Sequence, residues 1–456
     1  KGFCRPGAAV FKPHRGGRIK SRAFRGVGVS TFMVDVCPFR GFLFDPVLTG
    51  TLDAVLTPPY DVIDPGQRTA LAASSPYNMT HVMLPVADGG LSSHAHAASL
   101  LDAWMAAGTL KRDAAPYIYL LRQRFTSLDG ESLERKAFFA LLRLPESGEQ
   151  FILGHERTFD SPIADRLALM HATAGNIEPI FLMYSDPALE LTRTLFAPLT
   201  QETPTLVART MDGVVQELWR SPCPEALRHH LQDQVLYIAD GHHRFKTACL
   251  YRDERRAADN SSASNAEHEY IMAAFVAFEE PGLKIYAAHR VLPASFPLSF
   301  DEVKTRLSPY FKVAPLPAGQ VCAAGLASLP EDKCQMIVYD RQTGGWLITL
   351  DESRRRELLD TNRGHAWCDL DVAVLHRGIL DRLLDFQDST GLYYEKDDRI
   401  ALDLVNREEG ALALLVRPTR SEQVRACAEA FEPMPQKSTY FFPKMPSGAV
   451  MNLFER

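Results

Sequence analysis

The stretch that most limits the fold is VLYIADGHHRFKTACLY at 235–251. Its opening, Val235-Leu236-Tyr237-Ile238-Ala239, has the length and the β-branched and aromatic content of a core strand, and 245–251 reads as a helix. Only Asp240-Gly241-His242-His243-Arg244 joins the two. So short a joint keeps the helix against the sheet it has just left. Loops at the carboxyl ends of strands are where such layered proteins place their chemistry. An acid, a glycine, two histidines and an arginine at that point mark a candidate site.

Each of these residues has a chemical reason to be there. Gly241 permits positive φ, so the backbone can turn sharply and present amides to an anion above a helix N-terminus. Arg244 can bind phosphate bidentately, and His242 or His243 can donate a proton or act as nucleophile. Asp240 can orient a histidine or hold magnesium. The plainer alternative is a helix cap whose histidines are satisfied by backbone groups. Four polar residues and a glycine between an apolar strand and a helix favour the site.

Three further stretches carry candidate groups. HERTFDSPIADRL places His155, Glu156, Arg157, Asp165 and Arg166 within a dozen residues, with Glu156 as a general base and the arginines as phosphate partners. A solvated loop leading into a helix is its plainer reading. In LTPPYDVIDPG, three prolines stiffen the backbone around Tyr60 and Asp61 into a rigid loop. Near the C-terminus, MPQKSTYFFPKMPSG carries Lys437, Ser438 and Thr439 like the end of a phosphate-binding loop, but without the glycine-rich approach. Lys437 and Lys444 can still reach a phosphate from that proline-bounded strand, which is equally readable as structural. His289-Arg290 repeats the pattern of a strand followed by cations, with a surface ion pair as its alternative. The histidine pairs His94/His96 and His242/His243 lie in no HExxH helix, so no dedicated zinc site is expected. Magnesium brought in with a nucleotide is the metal this chemistry admits.

Hydrophobic spacing predicts a helix over 94–107, and a hairpin formed by 116–124 and KAFFALLRL about the Asp129-Gly130 turn. It also predicts strands at 179–184, 205–220 and 270–278. Beyond Pro293 come a capped helix in SFDEVKTRLSPYF, a hairpin in QMIVYDRQTGGWLITL and a helix in LDVAVLHRGILDRLL. The fold class expected is α+β, with a mixed, mostly antiparallel sheet and flanking helices. A main domain over 33–295 carries the DGHHR joint, and a smaller α+β part over 296–456 packs on it.

Composition excludes several classes of function. With 46% hydrophobic and 23% charged residues the chain is globular, and a net charge of −6 argues against general nucleic-acid affinity. No apolar run approaches the roughly 20 residues of a membrane-spanning helix. Eight cysteines with no CxxC pair give no disulfide framework, so a cytoplasmic setting is expected. Residues 1–32 hold eight Lys or Arg and no acid, leaving 42 basic against 56 acidic residues in the rest. That basic leader is expected to be disordered: a mis-assigned start before Met33, a targeting segment or a basic tail. The implied partners are a small-molecule substrate and a nucleotide; a homodimer is left open.

PFRGFLFDP, PPYDVIDP, HERTFDSPIADRLALMHATAGNIEPIF, IADGHHRFKTA, GLKIYAAHRVL, LDVAVLHRGIL and MPQKSTYFFPKMPSG, in that order, resemble the family known as domain of unknown function 1015. The resemblance runs from about residue 37 to the C-terminus, although Phe245-Lys246 stands where the family usually shows an aromatic followed by an acid. It implies a ParB/sulfiredoxin-like core, distantly similar to the free-serine kinases. On that likeness Gly241, His242 and Arg244 would cradle nucleotide phosphates, and Asp61 or Glu156 would accept the proton of a serine hydroxyl. A phosphohydrolase using His242 or His243, and a nucleotide-gated regulatory module, are the competing expectations.

Overall fold

The computed structural model describes residues 33–259, 266–386 and 391–455. The reading of the leader 1–32 therefore lies outside the described residues.

Strand-forming runs of the first half assemble into one nine-stranded sheet. Its spatial order is Ile152–Leu153, Leu236–Asp240, Ile180–Tyr184, Tyr270–Ala277, Ser132–Arg143, Ile118–Thr126, Val215–Ser221 and Leu206–Arg209, with Val36–Cys37 paired to Ser132–Arg143. Two pairings are parallel, Leu236–Asp240 with Ile152–Leu153 and Tyr270–Ala277 with Ile180–Tyr184; the others are antiparallel. The fold is thus α+β with a mixed, mostly antiparallel sheet. Period-two alternation gives the sheet two buried faces. Leu236 and Ile238 pack with Met170 of the Asp160–Thr173 helix and Ala248 and Tyr251 of the His242–Asp259 helix, while Tyr237 and Ala239 face the opposite core.

A second, six-stranded antiparallel sheet runs Phe311–Leu316, Gly344–Leu350, Gln335–Asp340, Gly410–Leu415, His289–Pro293 and Tyr393–Glu395. His289–Pro293 already belongs to it, so the two sheets divide the chain just before 289. The last segment then returns to the first part. Tyr440–Phe442 pairs with Lys284–Tyr286, and Asn452–Leu453 pairs with Gly175–Asn176. Arg135, fully buried, fastens this strap: it donates to Gln123 Oε1 at 2.9 Å and to the Pro443 carbonyl at 2.6 Å. Gln123 Nε2 donates in turn to the Lys444 carbonyl at 3.0 Å. Two neighbouring strands of the first sheet thereby set the position of Lys444.

Local signals and structure agree where the pattern is short-range. The hairpin forms over Ile118–Thr126 and Ser132–Arg143, the helix over Ser93–Ala106, and Ser299 caps its helix in a capping box with Glu302. The helix expected to begin at residue 245 begins at His242. Gly241, at φ 91°, makes the whole turn by itself, and the Phe245 amide closes the first helical turn on the Gly241 carbonyl at 2.9 Å. Both histidines and Arg244 therefore sit on helix rather than in a loop. No helix among the described residues is long and apolar enough to cross a membrane.

Candidate functional site

Leu236–Asp240 ends in a register slip between Ile238 and Asp240 against Ile180–Tyr184. Such a bulge re-aims the residue that follows it. Asp240 is turned toward Lys444 Nζ at 3.1 Å through one oxygen and Arg244 Nη2 at 2.9 Å through the other. Burial works to raise its pKa, but the two cations prevail and hold it at about 2. Asp240 is thus an anchored anion between two cations. Arg244 also donates to the Pro179 carbonyl, and its Nε is buried with no partner among the described residues. Gly241 fits tightly here as well as turning: a Cβ would lie 3.1 Å from Ile180 and 3.2 Å from the Arg244 guanidinium.

Beside this corner is a cavity of ≈ 260 Å³. Asp61, Glu156, Arg157, Asp240, Gly241, His242, His243, Arg244 and Lys437, all singled out in the sequence, line it. Tyr60, Phe159, Pro162 and Gln436 complete the wall. The first amides of the His242–Asp259 helix have no intrahelical acceptor, and the helix dipole adds positive potential at that end. Arg157 and Lys437 are exposed at the rim. Glu156 keeps 30% of its side chain open, with Oε2 3.8 Å from His242 Nδ1. Burial first, then the neighbouring Asp240 charge, push its carboxyl up to about 7, against the opposing pull of Lys437 and Lys444.

Backbone amides from the 155–159 loop engage both histidine rings. The His155 amide donates to His242 Nε2 and the Phe159 amide to His243 Nε2, each at 3.1 Å. His155 itself is buried, 3.2 Å from the Thr439 hydroxyl through Nε2, and burial lowers its pKa to about 4.

Other sequence-derived candidates stand away from the cavity. Arg166 is committed to Asp165 and to the Met83 carbonyl at 2.7 Å, with its guanidinium 4.3 Å from the Tyr60 ring centroid. Ser438 is buried and donates to the Pro435 carbonyl at 2.5 Å. His289 accepts from the Val416 amide at 3.2 Å inside the second sheet. Arg290, also buried, contacts His376 Nε2 and donates to the Gln436 and Lys437 carbonyls at 3.3 and 3.0 Å. The surface ion pair read as the alternative for His289-Arg290 is therefore replaced by two buried residues. Thr439 and Lys444 act one layer behind the wall, through His155 and Asp240.

Glu178 was not singled out in the sequence. Buried, it accepts from the Tyr60 amide and the Ser447 hydroxyl, each at 3.1 Å, and so ties the proline-rich loop to the C-terminal strap. An acid between Ile177 and Pro179, flanked by apolar residues, was its only signal. A larger cavity of ≈ 420 Å³ lies at the second sheet. There Arg355 pairs with Glu352, and Arg417 donates to a fan of backbone carbonyls, so these two guanidiniums serve the protein itself.

Several solved structures are similar to the chain. A free serine kinase variant in complex with AMP is 12% identical at TM-score 0.33, covering 66% of this chain and 87% of its own. A conserved hypothetical protein from Pyrococcus furiosus is 12% identical at TM-score 0.33, covering 69% and 95%. SbnI from Staphylococcus aureus, with a C-terminal truncation, is 8% identical at TM-score 0.34, covering 68% and 85%. No curated protein matches. The family profile described as "Protein of unknown function (DUF1015)" matches residues 36–373, nearly three quarters of the sequence, and the chain belongs to that family.

Proposed function

We propose that the cavity binds a nucleotide by its phosphates and moves the terminal phosphoryl group to a hydroxyl of a small polar metabolite such as serine. The observation that carries this reading is the place of Glu156 in a cavity shared with a helix N-terminus and two rim cations, where burial pushes its carboxyl up to about 7. At neutral pH such a group is close to half-ionised, the condition under which a general base works best. Glu156 takes the proton as the acceptor oxygen bonds to phosphorus and the bond to the leaving nucleotide breaks. Amides at the start of the His242–Asp259 helix, with Arg157 and Lys437, neutralise the phosphate oxygens. Asp240 holds Arg244 and Lys444 in place.

The donor set fits magnesium carried by the phosphates. Asp61 lines the cavity and forms no ion pair among the described residues, and such an ion needs only one or two carboxylates in addition to phosphate oxygens. When bound, it would neutralise charge on the transferred group. In the phosphohydrolase reading His242 or His243 would act as acid or nucleophile, and with both Nε2 atoms accepting from backbone amides only the Nδ1 atoms could serve.

Calorimetry on the full chain with ATP, ADP and CTP plus magnesium tests the proposal, followed by a transfer assay with serine. Binding is expected to weaken about tenfold or more in a Arg157→Ala/Lys437→Ala double variant, the loss of two charge-assisted contacts. Absence of binding to all three nucleotides would overturn it.

A further inference from the structure

Two adjacent histidines opening a helix at a cavity invite a catalytic role, yet their geometry serves a different end. Successive helical residues point about 100° apart, so a neighbouring pair reaches two separated points of one loop. Those points are residues 155 and 159, the ends of the segment that carries Glu156 and Arg157. Each bond needs the lone pair on Nε2, so each ring must be the neutral tautomer with its proton on Nδ1. Burial favours that form, lowering the pKa of both rings. The loop is also shaped to the rings. A Cβ on Gly154 would lie 2.9 Å from His242 Cδ2, and the Phe159 ring stacks on His243 at 6.2 Å between centroids, 25° from parallel.

We propose that His242 and His243 are positioning residues that clamp the two ends of the 155–159 loop and thereby set Glu156 and Arg157 in the cavity. The consequence for turnover rests on the reading of Glu156 as the base; the clamp itself does not.

The test uses His242→Gln and His243→Gln, which keep an acceptor near the Nε2 position without a basic nitrogen, beside His242→Leu and His243→Leu, which remove it. Hydrogen exchange followed by mass spectrometry reads the amides of 155–159 in the full chain, and limited trypsin digestion reads cleavage after the exposed Arg157. Each leucine variant is expected to exchange its clamped amide and be cut about five- to tenfold faster, the equivalent of one lost hydrogen bond. Glutamine variants are expected to stay near the parent in both readouts and to retain phosphoryl transfer. Where a leucine variant fails to fold, the glutamine variants decide. Loop opening in the glutamine variants equal to that expected for leucine overturns the clamp. So does a glutamine variant that keeps the loop closed but loses transfer, since the ring would then be doing chemistry. If the chain binds no nucleotide, exchange and digestion still decide the clamp, so the two readings fail separately.

Discussion

Glu156 should be a destabilising residue above neutral pH, and the size of that effect follows from its surroundings. Its carboxyl is raised from 4.5 to about 7, chiefly by burial. Between those values the unfolded chain is ionised while the folded one holds a proton, so stability falls as pH rises through this window and the full penalty is reached above 7. Two and a half pH units correspond to about 3.4 kcal/mol, and the 30% of the side chain left open screens this to about 2 kcal/mol. Glu156→Gln removes the charge at every pH. Its melting temperature should exceed the parent's by a few degrees at pH 8, and the gain should shrink to less than half at pH 5.5. Transfer activity should fall about 10²–10⁴-fold at the same time, as loss of a general base requires. Calorimetric melting of both proteins across pH 5–8 measures the first effect. Glutamine can pack slightly better or worse than the acid, but that offset is constant with pH. A difference in melting temperature that stays flat from pH 5 to 8 would refute the reasoning, because the carboxyl would then titrate as it does in water.

Asp240→Asn should cost about 3–5 kcal/mol, since it leaves Arg244 and Lys444 buried without their shared counter-ion. Adding Lys444→Met should recover part of that loss, and chemical denaturation of the two variants checks the order. Acid should destabilise the parent through its buried histidines. His155 and His289 have pKa values lowered from 6.5 to about 4 by burial, so below pH 6.5 the unfolded chain takes up protons that the folded chain refuses. Each should remove about 1.4 kcal/mol per pH unit between 6.5 and 4, and His155→Gln should flatten the measured slope by that amount.

The parts of this molecule that were legible in its sequence are those encoded over short distances. The strand before Asp240, the glycine turn and the hairpin at Asp129-Gly130 follow from periodicity and turn chemistry, which neighbours in the chain decide. Glu156 stood out because polar groups were crowded into one short stretch, and Asp61 through the family resemblance. The partner of Asp240 could not be read the same way: Lys444 lies 204 residues away, and only the strap held by Arg135 and Gln123 delivers it. Nor could the ring nitrogens of His242 and His243 be assigned, since their acceptor role depends on a loop that reaches them from the far side of Ile180–Tyr184 in sequence. The helix boundary was misplaced for a related reason. Histidine and arginine read equally well as loop or first turn until Gly241 is seen to complete the turn alone.

Arg290 shows how a residue can matter to the site without reaching it. In sequence it follows an apolar run like a phosphate ligand; in the structure its strand lies between Gly410–Leu415 and Tyr393–Glu395, and its guanidinium is wholly buried. No carboxylate among the described residues pairs with it, and burial lowers its pKa to about 10, so the charge is retained at neutral pH and must be met by dipoles. Carbonyls of Ala288, Gln436 and Lys437 meet it. Two of those belong to the turn that presents Lys437, whose backbone sits at φ 51°, a conformation a lysine holds only when its surroundings impose it. The second sheet therefore contributes to the cavity by fixing the backbone beneath a rim cation. A histidine–arginine pair that resembled a second binding turn is instead the anchor on which one wall of the first is built.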